Sequence, residues 1–132
     1  MQLFNNEYIL IELHANDSLY IKWTEATAVM PTEFFKQVNL WYVEYFSKYP
    51  IKSVMINTQD FKYTIEIEVQ EWVGTQIIPQ LIAKGLKKLA FIVSKDLFSQ
   101  FTIEQTMDES KSDVFTLLYF EDEAKANTWL KS

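Results

Sequence analysis

The sequence of 132 residues contains no cysteine and no arginine. Without cysteine the chain has no disulfide bond, no thiolate nucleophile and no cysteine-ligated metal. Arginine is the side chain that grips phosphate and guanine through two parallel hydrogen bonds. Because all twelve basic residues are lysine and the net charge is −6, we expect no nucleic-acid partner.

Glycine is scarce, and long apolar runs are absent. Gly74 and Gly85 are the two glycines, and neither lies in a GxGxxG or GxxxxGK pattern that would form a phosphate-binding loop. No segment approaches the ~20 apolar residues of a membrane span, and MQLFNNEYIL lacks the basic and apolar regions of a secretory signal. No linker or repeat divides the chain. We therefore expect a single cytoplasmic domain over residues 1–132.

The N-terminal segments have the alternating pattern of β-strands. In YILIELH (8–14) every second residue from Ile9 to Leu13 is apolar. After the turn-forming AND (15–17), SLYIKW (18–23) continues the alternation. This arrangement predicts an antiparallel hairpin.

Three later segments are rich in β-branched and apolar residues and predict strands, the first two of them buried. They are KSVMINT (52–58), KLAFIVS (88–94) and VFTLLYF (114–120).

An aromatic helix is predicted over residues 33–49. Thr32 can cap it, and Pro50 ends it. Its apolar residues recur in steps of one, three and four and form one broad stripe: Phe34, Phe35, Val38, Trp41, Tyr42, Tyr45, Phe46 and Tyr49.

A second helix is predicted to begin near Ile65, with Thr64 as its N-cap. Pro79 lacks an amide hydrogen and crowds the carbonyl of Thr75, so a kink or break is expected there. Gly85 is placed to end the helix in a left-handed conformation.

Short helical segments are also expected near Leu97 and from Thr102, and a final helix at residues 121–131. The predicted order is β-β-α-β-α-β-α-β-α. This order is typical of an α/β domain with a mixed, mainly parallel sheet, an N-terminal hairpin and about four covering helices.

Three segments of the sequence resemble the STAS domain of anti-sigma-factor antagonists and the small single-domain STAS-like proteins. They are SVMINTQDFKYTIEIEVQEW, FIVSKDLFSQFTIEQTM and TLLYFEDEAKANTWL. The resemblance covers most of the chain and implies a non-enzymatic protein-interaction or regulatory domain. The same layout is similar to that of lipid-carrier domains distantly related to STAS domains.

The resemblance also implies a partner-binding edge. In the antagonists, a serine in an Asp-Ser-Ser-Gly setting at the helix entry is phosphorylated. Here the matching stretch is Tyr63-Thr64-Ile65-Glu66, in which Thr64 alone retains a hydroxyl, so Thr64 is either a phosphoacceptor or simply a helix cap. The implied partner-binding residues are Tyr63, Thr64, Ile65, Glu66, Lys95, Asp96 and Phe98.

The aromatic helix suggests an alternative function. Its stripe is wide enough that Trp41, Tyr42 or Tyr45 can remain uncovered by the sheet. Such rings would form either a pocket for an apolar small molecule or lipid, or a contact between two copies of the chain. Core packing of all three rings is the simpler interpretation.

No catalytic pattern is evident. His14 is the single histidine and follows a predicted strand, without a second histidine or a carboxylate cluster that would hold a metal. Glu68 and Glu71 share a helix face, but a solvated surface explains them. No serine occurs in a GxSxG setting. We therefore predict no enzyme activity, no metal and no cofactor.

Overall fold

A six-stranded mixed sheet lies at the centre of the protein. The structure is a computed structural model that describes residues 1–15, 17–95 and 115–132. The strands lie side by side in chain order; the first two pairings are antiparallel and the other three are parallel. They are β1 (Gln2–Asn5), β2 (Ile9–His14), β3 (Ser18–Trp23), β4 (Ser53–Asn57), β5 (Lys88–Ile92) and β6 (Thr116–Phe120).

Helical segments connect or follow these strands within the described part of the chain. A 3-10 helix (Glu25–Val29) precedes α1 (Thr32–Lys48), and both lie between β3 and β4. Between β4 and β5 lie α2 (Ile67–Trp72), a π-helical turn (Val73–Ile77) and α3 (Ile78–Ala83). The chain closes with α4 (Glu123–Leu130).

The predicted α/β class, the hairpin and the mixed sheet are confirmed. The strand β1 was not predicted, because its four residues are too few to show an alternating pattern, and its pairing with β2 is irregular between Gln2 and Phe4. The helices predicted near Leu97 and Thr102 lie outside the described residues.

The predicted interruption at Pro79 takes the form of the π-helical turn. The amide of Ile78 donates to the carbonyl of Val73, five residues earlier. Proline has no amide hydrogen and collides with the carbonyl four residues before it. A wider turn ahead of Pro79 relieves this conflict and lets α2 continue into α3.

Gly85 ends α3 as the sequence predicts. Its φ of +122° lies in the region that side chains with a Cβ rarely adopt. The amide of Leu86 donates to the carbonyl of Leu81 at 2.9 Å, and the amide of Gly85 donates to Ile82 at 3.1 Å. These two bonds form a Schellman motif, which satisfies the last carbonyls of the helix.

The predicted caps of α1 and α2 are wrong. Pro31 precedes α1, and the hydroxyl of Thr32 is hydrogen-bonded to that of Tyr63 at 2.6 Å. Glu66 precedes α2, whereas Thr64 is exposed and lies outside any helix or strand. The bond to Tyr63 holds the loop against α1, so the chain enters α2 later than local propensity suggests.

The two faces of the sheet have different coverings. The helices α1 to α3 pack on one face, called here the cavity face, against Ile21, Val54 and Leu89. The helix α4 packs on the other face, where Ala126 contacts a small cluster that includes Ala90. Adjacent residues on one strand alternate between these faces.

Candidate functional site

An apolar cavity of about 260 Å³ lies between the cavity face and the helices α1 to α3. Its described lining residues carry no charge and are almost all apolar: Leu19, Ile21, Trp23, Phe35, Asn39, Tyr42, Phe46, Val54, Ile56, Thr58, Phe61, Ile65, Gln70, Val73, Ile77, Ile78, Leu81, Leu86, Leu89 and Phe91. An engineered apolar cavity of ~150 Å³ stays dry and takes up benzene. The cavity here is larger and has the same kind of lining.

The strands β3, β4 and β5 form the floor of the cavity. Their parallel register places Ile21, Ile56 and Phe91 in one row across the sheet. Ile21 is fully buried, whereas Ile56 and Phe91 are only partly buried although they lie in the central strands. Central strands of a parallel sheet are normally covered on both faces, so the helices leave this part of the floor open.

The π-helical turn forms part of the wall opposite the sheet. Val73 and Ile77 within the turn and Ile78 directly after it line the cavity. A π-helical turn widens the helix locally and is frequent at functional sites. The conflict created by Pro79 therefore also shapes the cavity.

The loop of residues 58–66 closes one end of the cavity with an aromatic cluster. Phe61 packs against Trp23 with ring centres 5.2 Å apart, and Tyr63 stacks on Phe35 at 5.4 Å. The amide of Lys62 donates to the buried hydroxyl oxygen of Thr27 at 2.8 Å. These contacts hold the loop against the start of α1.

Two polar side chains lie on the buried face of α1 and line the cavity. Asn39 is 5% exposed and Tyr42 is 7% exposed. The predicted apolar stripe omits Asn39, although its position four residues after Phe35 lies on the same helix face. That spacing was the available signal: a polar residue within an apolar stripe.

Tyr42 is one of the three aromatic residues predicted to form an apolar ligand or dimer surface. Of these three, Tyr42 alone lines the cavity. Trp41 is half-buried and packs on Phe4 of β1, with ring centres 4.7 Å apart. Tyr45 is half-buried beside the main core, and burial, followed by the charge of Glu44, raises its pKa.

The predicted partner-binding residues fall in separate surroundings. Tyr63 and Ile65 are partly buried against the core, whereas Thr64 and Glu66, which follow each of them in the chain, are exposed. Lys95 instead lines a polar cleft at the other side of β4. Asp96 and Phe98, also predicted as partner-binding, lie outside the described residues.

The polar cleft lies where α4 begins, at the carboxyl ends of the parallel strands. One carboxylate oxygen of Glu123 accepts hydrogen bonds from the Tyr20 hydroxyl at 2.7 Å and from the side-chain amide of Asn57 at 2.5 Å. Burial, followed by the hydrogen bond and charge of Glu123, raises the pKa of Tyr20. Asn57 is only 3% exposed. This network satisfies its buried polar groups and fixes α4 to the sheet.

His14 does not belong to either site. Its ring stacks on Tyr20 at 5.4 Å, and its Nε2 lies 2.9 Å from a carboxylate oxygen of Glu12. No group of three or more metal-binding side chains occurs in residues 1–15, 17–95 and 115–132. Within these residues, no helix has the length and apolar character needed to cross a membrane.

The comparisons add no relative from which a function can be transferred. No protein-family model, no curated protein and no solved structure matches the chain. The candidate site therefore rests on the geometry and chemistry of the cavity.

Proposed function

We propose that this protein is a non-enzymatic binding domain that holds a small apolar molecule in the cavity between the sheet and the helices α1 to α3. The observation that carries the proposal is an uncharged cavity of about 260 Å³ in an otherwise buried core. Protein interiors pack as densely as organic crystals and contain few voids larger than water. A cavity of this size without an occupant reduces stability, because its lining loses packing contacts.

The cavity lining favours binding over catalysis. None of its described residues is charged or is a histidine, so it offers no group for acid-base chemistry near neutral pH. An apolar molecule that fills the space restores the missing contacts and removes its own surface from water. By proportion to the cavity that binds benzene, the buried part of the ligand has roughly ten non-hydrogen atoms.

Naphthalene is a suitable first probe, because it is uncharged and has about this size. We expect it to bind with a dissociation constant on the order of 0.1 mM, measured from the methyl chemical shifts of Ile21, Val54 and Leu81 by NMR. Native mass spectrometry of the gently purified protein would then identify any ligand carried from the cell.

A matched pair of variants on β4 locates the probe. Ile56→Phe adds bulk on the cavity face and is expected to weaken naphthalene binding about tenfold or more. Met55→Leu changes the neighbouring residue on the opposite face and should leave the affinity within about twofold. Absence of methyl shifts in the wild type, or equal binding by Ile56→Phe, would overturn the proposal.

A second candidate function is contact with a protein partner, either another protein or a second copy, at the start of α2. Ile67 is 69% exposed there, beside the exposed Thr64 and Glu66, and the STAS-like resemblance implies a partner at this place. Large apolar side chains at such exposure are individually common, so this candidate has less support. For either proposed function, the absence of cysteine favours a cytoplasmic setting.

Affinity capture with two variants tests this second function. Ile67→Lys and Glu66→Lys should each reduce partner capture severalfold and leave naphthalene binding unchanged, because neither residue lines the cavity. Undiminished capture by both variants would exclude this surface.

A further inference from the structure

The two polar residues that line the cavity on α1 have unused hydrogen-bonding capacity. The side-chain amide nitrogen of Asn39 donates to the carbonyl of Phe35 at 3.0 Å. Its Oδ1 accepts no hydrogen bond, and the hydroxyl of Tyr42 forms none, within the part of the chain that the structure describes. Polar groups as deeply buried as these are normally paired.

These free atoms reach open space. Among the described residues, every side-chain nitrogen or oxygen that water cannot reach has a hydrogen-bond partner. Asn39 Oδ1 and the Tyr42 hydroxyl have no partner within these residues, so both atoms are accessible to water. Since both residues line the cavity and are more than nine-tenths buried, we infer that Asn39 Oδ1 and the Tyr42 hydroxyl face the cavity. They lie three residues apart on one face of α1, and side chains at this spacing are neighbours.

Two other polar side chains of the lining form hydrogen bonds within the protein. The hydroxyl of Thr58 donates to the carbonyl of Ile92 at 2.9 Å, and the side-chain amide of Gln70 donates to Ile65 at 2.8 Å. The indole N–H of Trp23, another lining residue, also has no hydrogen bond within the described residues, but it can only donate. Asn39 and Tyr42 are the pair of polar side chains that α1 brings to the cavity. Burial, followed by the influence of Tyr45, raises the pKa of Tyr42, so its hydroxyl stays protonated and able to donate.

The lack of charge in the described lining further limits the class of ligand that the cavity can bind. A carboxylate, phosphate or ammonium group would have to leave water without an opposite charge, and an unpaired buried charge is very costly. An uncharged hydroxyl group, by contrast, is both a donor and an acceptor. It can donate to Asn39 Oδ1 and accept from Tyr42 at the same time.

We propose that the cavity selects an uncharged alcohol or phenol, whose hydroxyl is held between Asn39 and Tyr42 and whose apolar body fills the remaining space. This inference rests on the proposed function and names its ligand class. A ketone could accept a hydrogen bond from Tyr42 but could not donate one to Asn39 Oδ1. A fatty-acid carboxylate would bind weakly, because its charge would be buried without a partner.

Three probes with the same ring system test the inference: naphthalene, 2-naphthol and 2-naphthoate, titrated calorimetrically at pH 7. In the wild type, 2-naphthoate should bind about tenfold or more weakly than 2-naphthol, because it is an anion. Tyr42→Phe keeps the ring and removes the hydroxyl. It should weaken the binding of 2-naphthol about three- to tenfold, as expected for the loss of one neutral hydrogen bond. The affinity for naphthalene should stay within about twofold of the wild-type value.

Tyr45→Phe is the matched control, because Tyr45 lies on the same helix and does not line the cavity. It should leave the affinities for all three probes unchanged. Thermal unfolding of each variant verifies that it is folded.

The outcomes separate the two proposals. If neither naphthalene nor 2-naphthol binds to the wild type, the proposed function fails. If both bind but Tyr42→Phe changes them equally, or if 2-naphthoate binds as tightly as 2-naphthol, the cavity remains a binding site and the hydroxyl selection is wrong.

Discussion

The two faces of the central sheet differ in how far their buried polar groups are hydrogen-bonded. On the face covered by α4, the Tyr20 hydroxyl and the Asn57 amide are both bound by the carboxylate of Glu123. On the cavity face, Asn39 Oδ1 and the Tyr42 hydroxyl have no hydrogen-bond partner within the described residues, although both residues line the cavity. A satisfied network stabilises the fold, whereas unsatisfied groups in a cavity point to a molecule that completes them.

The two faces also differ in how tightly their side chains are packed. Ala90 and Ala126 are fully buried in the cluster beneath α4, where two small side chains allow close approach. On the cavity face the larger Ile56 and Phe91 remain only partly buried. The α4 face is thus filled by the chain itself, and the cavity face retains room for an occupant.

The largest expected effect is the loss of the network beneath α4. Glu123→Ala leaves the Asn57 amide and the Tyr20 hydroxyl without their shared acceptor. We expect the free energy of unfolding, measured in urea, to fall by about 2–3 kcal/mol, as for hydrogen bonds to a charged group.

Glu121→Ala is the control for this change. The side chain of Glu121 forms a partly exposed ion pair with Lys125, with an N–O distance of 3.6 Å, and an i,i+4 pair of this kind is worth about 0.3–0.5 kcal/mol. Equal losses in the two variants would contradict the structural importance of the Glu123 network.

The second-largest effect is expected when a larger side chain is introduced on each face of the sheet. Ala90→Leu and Ile56→Phe each add about three carbon atoms to a central strand. Because Ala90 has no room beside it, its variant should lose about 1–3 kcal/mol of unfolding free energy through overpacking. Ile56→Phe extends into the cavity and should change the unfolding free energy by less than about 1 kcal/mol in either direction. Urea unfolding of both variants is the measurement, and a larger loss for Ile56→Phe would mean that the cavity cannot accept extra bulk.

Alkaline pH provides a test of the buried Tyr42 hydroxyl. Burial raises the pKa of Tyr42 above its usual value of 10.0, so the folded state favours the protonated form. This stabilisation is fully present below pH 10 and is lost as pH rises above it, because the unfolded chain ionises first. For this residue the free energy of unfolding should fall by up to about 1.4 kcal/mol per pH unit.

Tyr42→Phe should reduce this slope when urea unfolding is compared between pH 9 and pH 11. An unchanged slope would mean that the hydroxyl is exposed to water in the folded protein. Tyr45→Phe is the comparison on the same helix. The pKa of Tyr45 is also raised by burial, but Tyr45 is less deeply buried, so this variant should reduce the slope less than Tyr42→Phe does.

The smallest expected change is a gain in stability. Asn39→Leu replaces a buried, incompletely bonded amide by an apolar side chain with a higher helix propensity. The free energy of unfolding should rise by about 0.5–1 kcal/mol, while binding of 2-naphthol weakens. Such a trade is typical of residues that serve binding rather than folding. A loss of stability would show that Asn39 is needed by the fold.

Local sequence signals predicted most of the architecture but placed two helix caps wrongly. The strands β2 to β6 appear in the sequence as alternating or continuous apolar runs, and Pro79 and Gly85 act as their backbone chemistry requires. Thr64 was predicted to cap a helix because of its residue type. The hydrogen bond between Thr32 and Tyr63 is a long-range contact, and nothing near Thr64 in the sequence indicates it.

By itself, the sequence determined the α/β class, the mixed sheet, the interruption of the regular helix near Pro79 and the lack of charge along the aromatic stripe, because these follow from periodicity and backbone chemistry. Tertiary structure alone decided that the stripe leaves a cavity, that Tyr42 and not Trp41 or Tyr45 lines it, and that Asn39 joins Tyr42 there. Cavities arise from the relative positions of elements that are distant in sequence, and the pattern of one helix does not contain that information.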